Sequence, residues 1–155
     1  MKSWASYGLV ILGLVGYNLI TSADRDESGA IIDAGNVDVF QIRVGDCFDD
    51  ASGATEISSL PGVPCSEPHD NEAYASFNLT VSEYTGDDSM FDLAFEQCLE
   101  RFEPFVGRDY DSSALDIYTL YPTYESWQQN DREVVCAVFD MDSNKLVGSV
   151  RGRGL

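Results

Sequence analysis

The stretch MFDLAFEQCLERFEPF, residues 90–105, carries the strongest structural signal in the chain. Its apolar residues recur every three or four positions, which is the spacing of one face of an α-helix. A Gly-Asp-Asp-Ser sequence at 86–89 supplies a helix start, and Pro104 and Gly107 mark the end. The pattern predicts one amphipathic helix whose aromatic residues pack in a core. The predicted buried residues are Phe91, Ala94, Phe95, Cys98, Leu99, Phe102 and Phe105.

On both sides of this helix lie candidate β-strands: residues 37–44 and 72–79 alternate between apolar and polar residues, the pattern of half-buried strands, and three later segments are strand-like runs rich in apolar residues. The predicted strands cover 37–44, 72–79, 117–121, 133–140 and 146–150, with the last two joined as a hairpin through 142–144. Residues 49–64 favour only a loop or a weak strand. The order β, β, α, β, β, β predicts an α+β domain, an antiparallel sheet with one main helix packed on it.

The start of the chain predicts a membrane anchor. Residues 3–23 contain no charge, and at about 1.5 Å per residue a helix of that length spans roughly 31 Å, the thickness of a bilayer core. Lys2 precedes the segment and an acidic-rich stretch follows it, which places Met1 in the cytoplasm. The alternative is a cleaved signal peptide ending at Thr21-Ser22-Ala23. Both interpretations export the remainder, which divides into a linker, 24–36, and a folded domain, 37–155.

The charge of the chain restricts its partners. The net charge is −18, and because Lys2 is the one basic residue before residue 24, the exported part carries eight basic against 27 acidic residues. Such a field disfavours nucleic acid and anionic lipid headgroups. A well-solvated surface is the favoured interpretation, and attraction of cations or of a basic partner is the alternative.

Four cysteines lie in the exported domain, and an even number in an oxidising compartment predicts two disulfides. A zinc site is disfavoured because the chain has no Cys-x-x-Cys pair and one histidine. Among three connectivities, the favoured one joins neighbours along the chain, Cys47 to Cys65 and Cys98 to Cys136. The second bond would fasten the helix to the sheet, and each would contribute roughly 3 to 4 kcal/mol.

The contexts of these cysteines form an ordered set of short motifs that resembles the actinobacterial septum formation family over about residues 44–152. The resemblance implies an extracytoplasmic domain behind a single span or lipid anchor and a link to cell division, and it brings no activity with it. Asn130 stands where a glycine often precedes the Asp-Arg pair. The motifs are Val44-Gly45-Asp46-Cys47-Phe48-Asp49, Val63-Pro64-Cys65, Pro68-His69 with Glu72, Cys98 with Phe102 and Val106-Gly107, Pro122-Thr123, Ser126-Trp127, Asp131-Arg132, Val134-Val135-Cys136, and Gly148-Ser149 to Arg151-Gly152.

The segment CSEPHDNE, residues 65–72, holds the single histidine and is the candidate site. His69, Asp70 and Glu72 could bind zinc or manganese, but the favoured interpretation is a structural loop in which His69 and Asp70 bond the backbone or the region of Trp127 and Arg132. A general acid/base role for His69 is the other alternative.

The Asp131-Arg132 pair beside Trp127 is interpreted as a structural hydrogen-bond clamp in preference to an anion site, because a lone arginine in an acidic domain attracts anions poorly. The sequence has no Gly-x-Ser-x-Gly element and no phosphate-binding glycine loop. We therefore expect no catalytic residue, no bound metal and no cofactor.

These observations together favour a non-enzymatic, membrane-anchored accessory protein of the cell envelope that binds other membrane or envelope proteins. One alternative is a small subunit of a larger respiratory or transport complex, docked through its span, where Tyr7, Gly8, Gly13 and Gly16 offer a small-residue face. The least favoured alternative is a metal-dependent hydrolase centred on His69.

Overall fold

The computed structural model describes residues 21–51 and 57–155. The predicted span, residues 3–23, lies outside the described residues except for its last three. Those three are extended, and the Asn36 amide donates to the Thr21 carbonyl at 2.9 Å. Within the described ranges, no helix combines the length and the apolar character needed to cross a bilayer.

The described residues form eight strands and two α-helices. They are β1 (Asp24–Arg25), β2 (Ile31–Asp33), β3 (Gly35–Asp38), β4 (Cys47–Phe48), β5 (Ser59–Val63), β6 (Asn71–Asn78), α1 (Asp87–Val106), β7 (Leu115–Leu120), α2 (Tyr124–Gln128) and β8 (Glu133–Asp140). Six of the strands form one antiparallel sheet in the order β3-β5-β4-β6-β8-β7, and β1 and β2 form a separate hairpin. The sheet is larger than the sequence pattern predicts.

Helix α1 forms where the periodicity predicts it. Asp87 and Asp88 in its first turn complement the helix dipole, and Gly107, with φ of 81°, ends it in the left-handed conformation that glycine adopts without strain. The buried stripe is narrower than predicted, because Phe91 and Leu99 are 39% and 38% exposed. The residues that α1 buries are Met90, Ala94, Cys98, Phe102, Phe105 and Val106.

The sheet has an apolar cluster on each face. Helix α1 covers the larger cluster, in which Tyr74 of β6 packs against Phe102 and Phe105 and donates its hydroxyl to the Cys98 carbonyl at 2.7 Å. The second cluster includes Phe48, Leu60 and Ile31, the last from the β1–β2 hairpin. Residues 24–36, expected to be a linker, therefore contain a hairpin and the start of sheet strand β3.

Both disulfides have the favoured pairing. Cys98 of α1 is bonded to Cys136 of β8, so the helix is covalently fastened to the sheet. Cys47 of β4 is bonded to Cys65, which lies just after β5.

Two further expectations need correction. The strand expected at 37–44 ends at Asp38, whose carboxylate accepts the Phe40 amide at 2.9 Å and starts a 3₁₀ turn. The strand expected at 146–150 does not pair with β8, because β6 and β7 already occupy both edges of β8.

Candidate functional site: a buried histidine loop and an acidic groove

His69 is held inside the protein. It is 0% exposed, and its backbone bonds Leu146 in both directions, at 3.0 and 2.8 Å. Its Nδ1 lies 2.8 Å from the Glu67 carbonyl oxygen; a carbonyl only accepts, so Nδ1 carries the proton and donates. Its Nε2 is buried and has no partner among the described residues.

Glu72 fastens the chain after β8 to strand β6. Its carboxylate is 1% exposed and accepts two hydrogen bonds, from the Ser149 hydroxyl at 2.6 Å and from the Val150 amide at 2.7 Å. Both carboxylate oxygens are therefore occupied by groups that determine the path of residues 146–150. Hydrogen bonds to a charged acceptor are the stronger kind, which suits a structural role.

Asp70 points to a different partner, Lys145. Their side chains lie 2.9 Å apart, and Lys145 also bonds Asp49 at 2.8 Å. Burial alone raises the pKa of Asp70, but the bonds from Lys145 and from the Asp50 amide outweigh it and hold this pKa below its ordinary value. The hydrogen bonds that Lys145 donates to Asp49 and Asp70 raise the pKa of Lys145.

The three residues weighed as metal ligands do not converge. Among the described residues, the cluster with metal-ligand spacing is Cys47, His69 and Glu72, whose ligand atoms lie within 4.8 Å of one another. Cys47 is in a disulfide and offers no thiolate, the Glu72 oxygens are hydrogen-bonded, and Asp70 pairs with Lys145. The oxidised chain therefore presents no ready zinc ligand set here.

Trp127 and Arg132 lie at the other end of the sheet. We call residues 65–72 the histidine loop. Asn71 of this loop pairs with Phe139, whereas Asn78 pairs with Glu133, so the histidine loop and the region of Trp127 and Arg132 are about 23 Å apart along β6. The Arg132 guanidinium stacks on the Trp127 ring at 3.5 Å. His69 and Asp70 were expected to bond either the backbone or the region of Trp127 and Arg132. In the structure they bond the backbone, His69 at the Glu67 carbonyl and Asp70 at the Asp50 amide.

The Asp131-Arg132 pair has the geometry of a clamp. Arg132 donates to the Trp127 carbonyl at 3.0 Å, and Asp131 accepts the Ser126 hydroxyl at 2.8 Å and the Glu133 amide at 2.9 Å. Asn130 adopts a φ of 69°, a left-handed conformation that asparagine tolerates better than most residues. The turn thus forms without the glycine of the family pattern.

A groove with a volume of about 850 Å³ runs between strands β7 and β8, α2 and the segments at 39–40 and 57–58, and Asp87 at the start of α1 also lines it. Phe40 and Tyr124, which line it, are 56% and 54% exposed. A smaller cavity of about 320 Å³ adjoins it, because Ile57 and Tyr118 line both.

The lining of both cavities is acidic. Neither contains a lysine or an arginine, although Lys145 bonds Asp70 at the edge of the smaller one. We call the two cavities together the acidic groove. Its carboxylates are Asp50, Asp70, Asp87, Glu125, Asp131, Glu133 and Asp140.

A family model described as septum formation matches residues 44–153, more than two thirds of the 155 residues. The chain belongs to the septum formation family. The match agrees with the resemblance carried by the cysteine motifs, and membership supports a role related to septum formation. No curated protein and no solved structure matches the chain significantly.

Within this septum formation protein, the matched region contains both disulfides, the histidine loop and most of the acidic groove, but not the β1–β2 hairpin. One link from that hairpin enters the matched region: Arg25 donates to both carboxylate oxygens of Asp46, at 2.6 and 2.7 Å. The hydrogen bonding of Arg25 to Asp46 raises the pKa of Arg25, against the opposing effect of burial.

The sequence did not indicate the groove because its residues come from many separate segments of the chain. Its one sequence signal was the acidic balance of the whole chain, which does not say where carboxylates gather. Chemically, the groove offers aromatic faces and carboxylates to a cationic or amphipathic polypeptide.

Proposed function

We propose that this septum formation protein is an exported, membrane-anchored accessory protein that binds another envelope protein through the acidic groove. The observation that carries the proposal is the contrast between the two candidate sites. In the histidine loop, His69 and Glu72 are buried and their hydrogen bonds hold the chain, whereas the groove exposes aromatic side chains and carboxylates to solvent. Exposed aromatic residues are enriched in protein interfaces.

The burial of His69 also favours a binding role over catalysis. A general acid or base must reach within hydrogen-bond distance of its substrate, and His69 is 0% exposed. Membrane anchoring is proposed from the uncharged residues 3–23, and an extracytoplasmic domain from the two disulfides, which persist in oxidising compartments.

The test is recovery of the complete chain from its own membranes in mild detergent, followed by identification of the proteins that co-purify. Four forms are compared: wild type, Glu125→Lys in the groove, a control substitution, and a chain in which residues 3–20 of the expected span are replaced by an unrelated span, because residues 21–23 bond β3. Glu103→Lys is the matched control, because it reverses an exposed charge near the far end of α1.

We expect division or envelope proteins to co-purify with wild type, with Glu103→Lys and with the exchanged span, and to be lost with Glu125→Lys. Loss on exchanging the span alone would instead indicate a subunit docked through its membrane helix. Recovery that Glu125→Lys does not change would remove the groove from the proposal.

A further inference from the structure

Strand β7 is the open edge of the sheet in the described part of the chain. At the opposite edge, residues 21–23 bond β3, since the Ala23 amide donates to the Asn36 carbonyl at 3.0 Å. Strand β7 pairs with β8 on one side and with no described strand on the other. An open edge is a template for pairing with another chain unless it is blocked.

The hydrogen-bond pattern identifies which residues of β7 face outward. The Met141 amide donates to the Ala114 carbonyl at 3.0 Å, so Ala114 and Met141 are a hydrogen-bonded pair of the antiparallel ladder. Every second residue of β7 after Ala114, at positions 116, 118 and 120, therefore also bonds β8. The residues between them direct their amides and carbonyls away from β8. They are Leu115, Ile117 and Thr119.

The first half of this edge is blocked by the protein's own side chains. The Leu115 amide donates to the Ser113 hydroxyl at 3.0 Å, and the Ile117 amide donates to the Asp116 carboxylate at 2.7 Å. The second half is open: the Thr119 amide has no partner among the described residues, and the Thr119 hydroxyl is buried without one. The open half borders the groove, because residues 118–121 line it.

The charges of the groove select its occupant. A second copy pairing edge to edge would bring two acidic grooves together in a chain of net charge −18, which like-charge repulsion opposes. A positively charged segment would meet the carboxylates of Glu125 and Glu133 and the faces of Tyr121 and Tyr124, which attract lysine and arginine. Its backbone would supply the carbonyl that the Thr119 amide lacks.

We propose that an extended, positively charged segment of a partner protein adds as a strand to the open half of β7, with its side chains in the acidic groove. The inference rests on the proposed function and names the chemistry of the partner. Main-chain pairing would give affinity, and alternate side chains entering the groove would give specificity.

The probe is a blocked synthetic peptide that alternates arginine and valine, titrated against the complete 155-residue chain in mild detergent. Two matched peptides accompany it: one with glutamate in place of arginine, and one N-methylated at its two central residues, which blocks both edges of the peptide backbone. We expect the arginine peptide to bind, the N-methylated peptide to bind at least about tenfold more weakly, and the glutamate peptide not to bind.

Two variants at one position test the edge. Thr119→Pro removes the outward amide and no bond to β8, and proline is tolerated on edge strands. Thr119→Val keeps that amide and removes only the hydroxyl. We expect Thr119→Pro to weaken the arginine peptide at least about tenfold. Thr119→Val should stay within about twofold of wild type. Thermal unfolding of both variants verifies that the fold is kept.

The outcomes separate this inference from the proposed function. Equal binding of the N-methylated peptide, or of Thr119→Pro, would overturn strand addition while leaving partner capture through the groove intact. Binding of the glutamate peptide, or of no peptide, would overturn the cationic occupant. A dimer of the chain alone that Thr119→Pro dissociates would identify the occupant as a second copy and also overturn the inference.

Discussion

Glu72 shows at the scale of one residue why a buried carboxylate need not be a functional one. Removing it in Glu72→Ala leaves the Val150 amide buried and unpaired, and we expect a loss of roughly 2 to 4 kcal/mol in the free energy of unfolding. Ser149→Ala removes the hydroxyl's bond to Glu72 and the exposed bond it accepts from the Arg151 amide but keeps the bond to Val150, and it should cost less, about 1 kcal/mol. Urea unfolding measures both, and equal losses would mean that Glu72 does not hold the chain after β8.

Lys145 gives a second prediction at this scale, on acid stability. Because the pKa of Asp70 is lower in the folded protein than in the unfolded chain, its stabilisation is present at neutral pH and is lost as the pH falls below the ordinary value of about 3.9. Lys145→Met should therefore flatten the loss of stability between neutral and acid pH.

Melting temperatures measured over that pH range test the expectation. Arg108→Met is the control, because it removes one positive charge that forms no ion pair in the described structure. A pH profile that both substitutions change equally would attribute the effect to net charge and not to the pair.

At the scale of elements, the two disulfides should differ in how readily they are reduced. Cys98 and Cys136 are both 0% exposed between α1 and β8, whereas Cys65 is partly exposed beside β5. Because thiol exchange requires access to a sulfur, limited reduction of the folded protein should open Cys47–Cys65 first. Alkylation and mass spectrometry would identify the order, and simultaneous opening would mean that reduction proceeds through global unfolding.

The elements also show what the sequence could and could not predict. Helix α1 was predictable from its long, regular period, and strand β8 from a continuous, valine-rich run of apolar residues, which is buried on both faces of the sheet. The strand expected at 146–150 failed because an apolar run does not reveal that both edges of β8 are taken, and that run is held instead by Glu72 and His69. Strand β5 contains Pro61 and Gly62, which argue against a strand locally, yet pairing with β3 and β4 overrides them.

The candidate site divides in the same way. The histidine loop could be located from the one histidine and its neighbours, since those residues are adjacent in the chain. The acidic groove could not, because Phe40, Asp87 and Tyr118 are distant in sequence and only folding brings the turn after β3, the start of α1 and β7 together. An open strand edge is likewise a property of the sheet and leaves no period in the sequence.

For the whole molecule, the net negative charge predicts that added salt has opposite effects on stability and on peptide binding. Only three basic side chains form ion pairs in the described residues, Arg25, Arg101 and Lys145, against 27 acidic residues in the sequence. Self-repulsion should therefore outweigh ion pairing. Raising sodium chloride from about 0.01 M to about 0.15 M shortens the Debye length from roughly 30 to roughly 8 Å, which should raise the melting temperature.

The same screening should weaken binding of the arginine peptide, because that attraction acts between opposite charges across the groove. Thermal unfolding and peptide titration in one salt series measure both effects, and Glu103→Gln and Glu125→Gln separate them. Each variant removes one negative charge and should reduce the salt dependence of the melting temperature. Only Glu125→Gln should reduce the salt dependence of peptide binding, because Glu125 lines the groove and Glu103 does not. A melting temperature that falls with salt would mean that ion pairs dominate, and the acidic surface would then need another explanation than partner attraction.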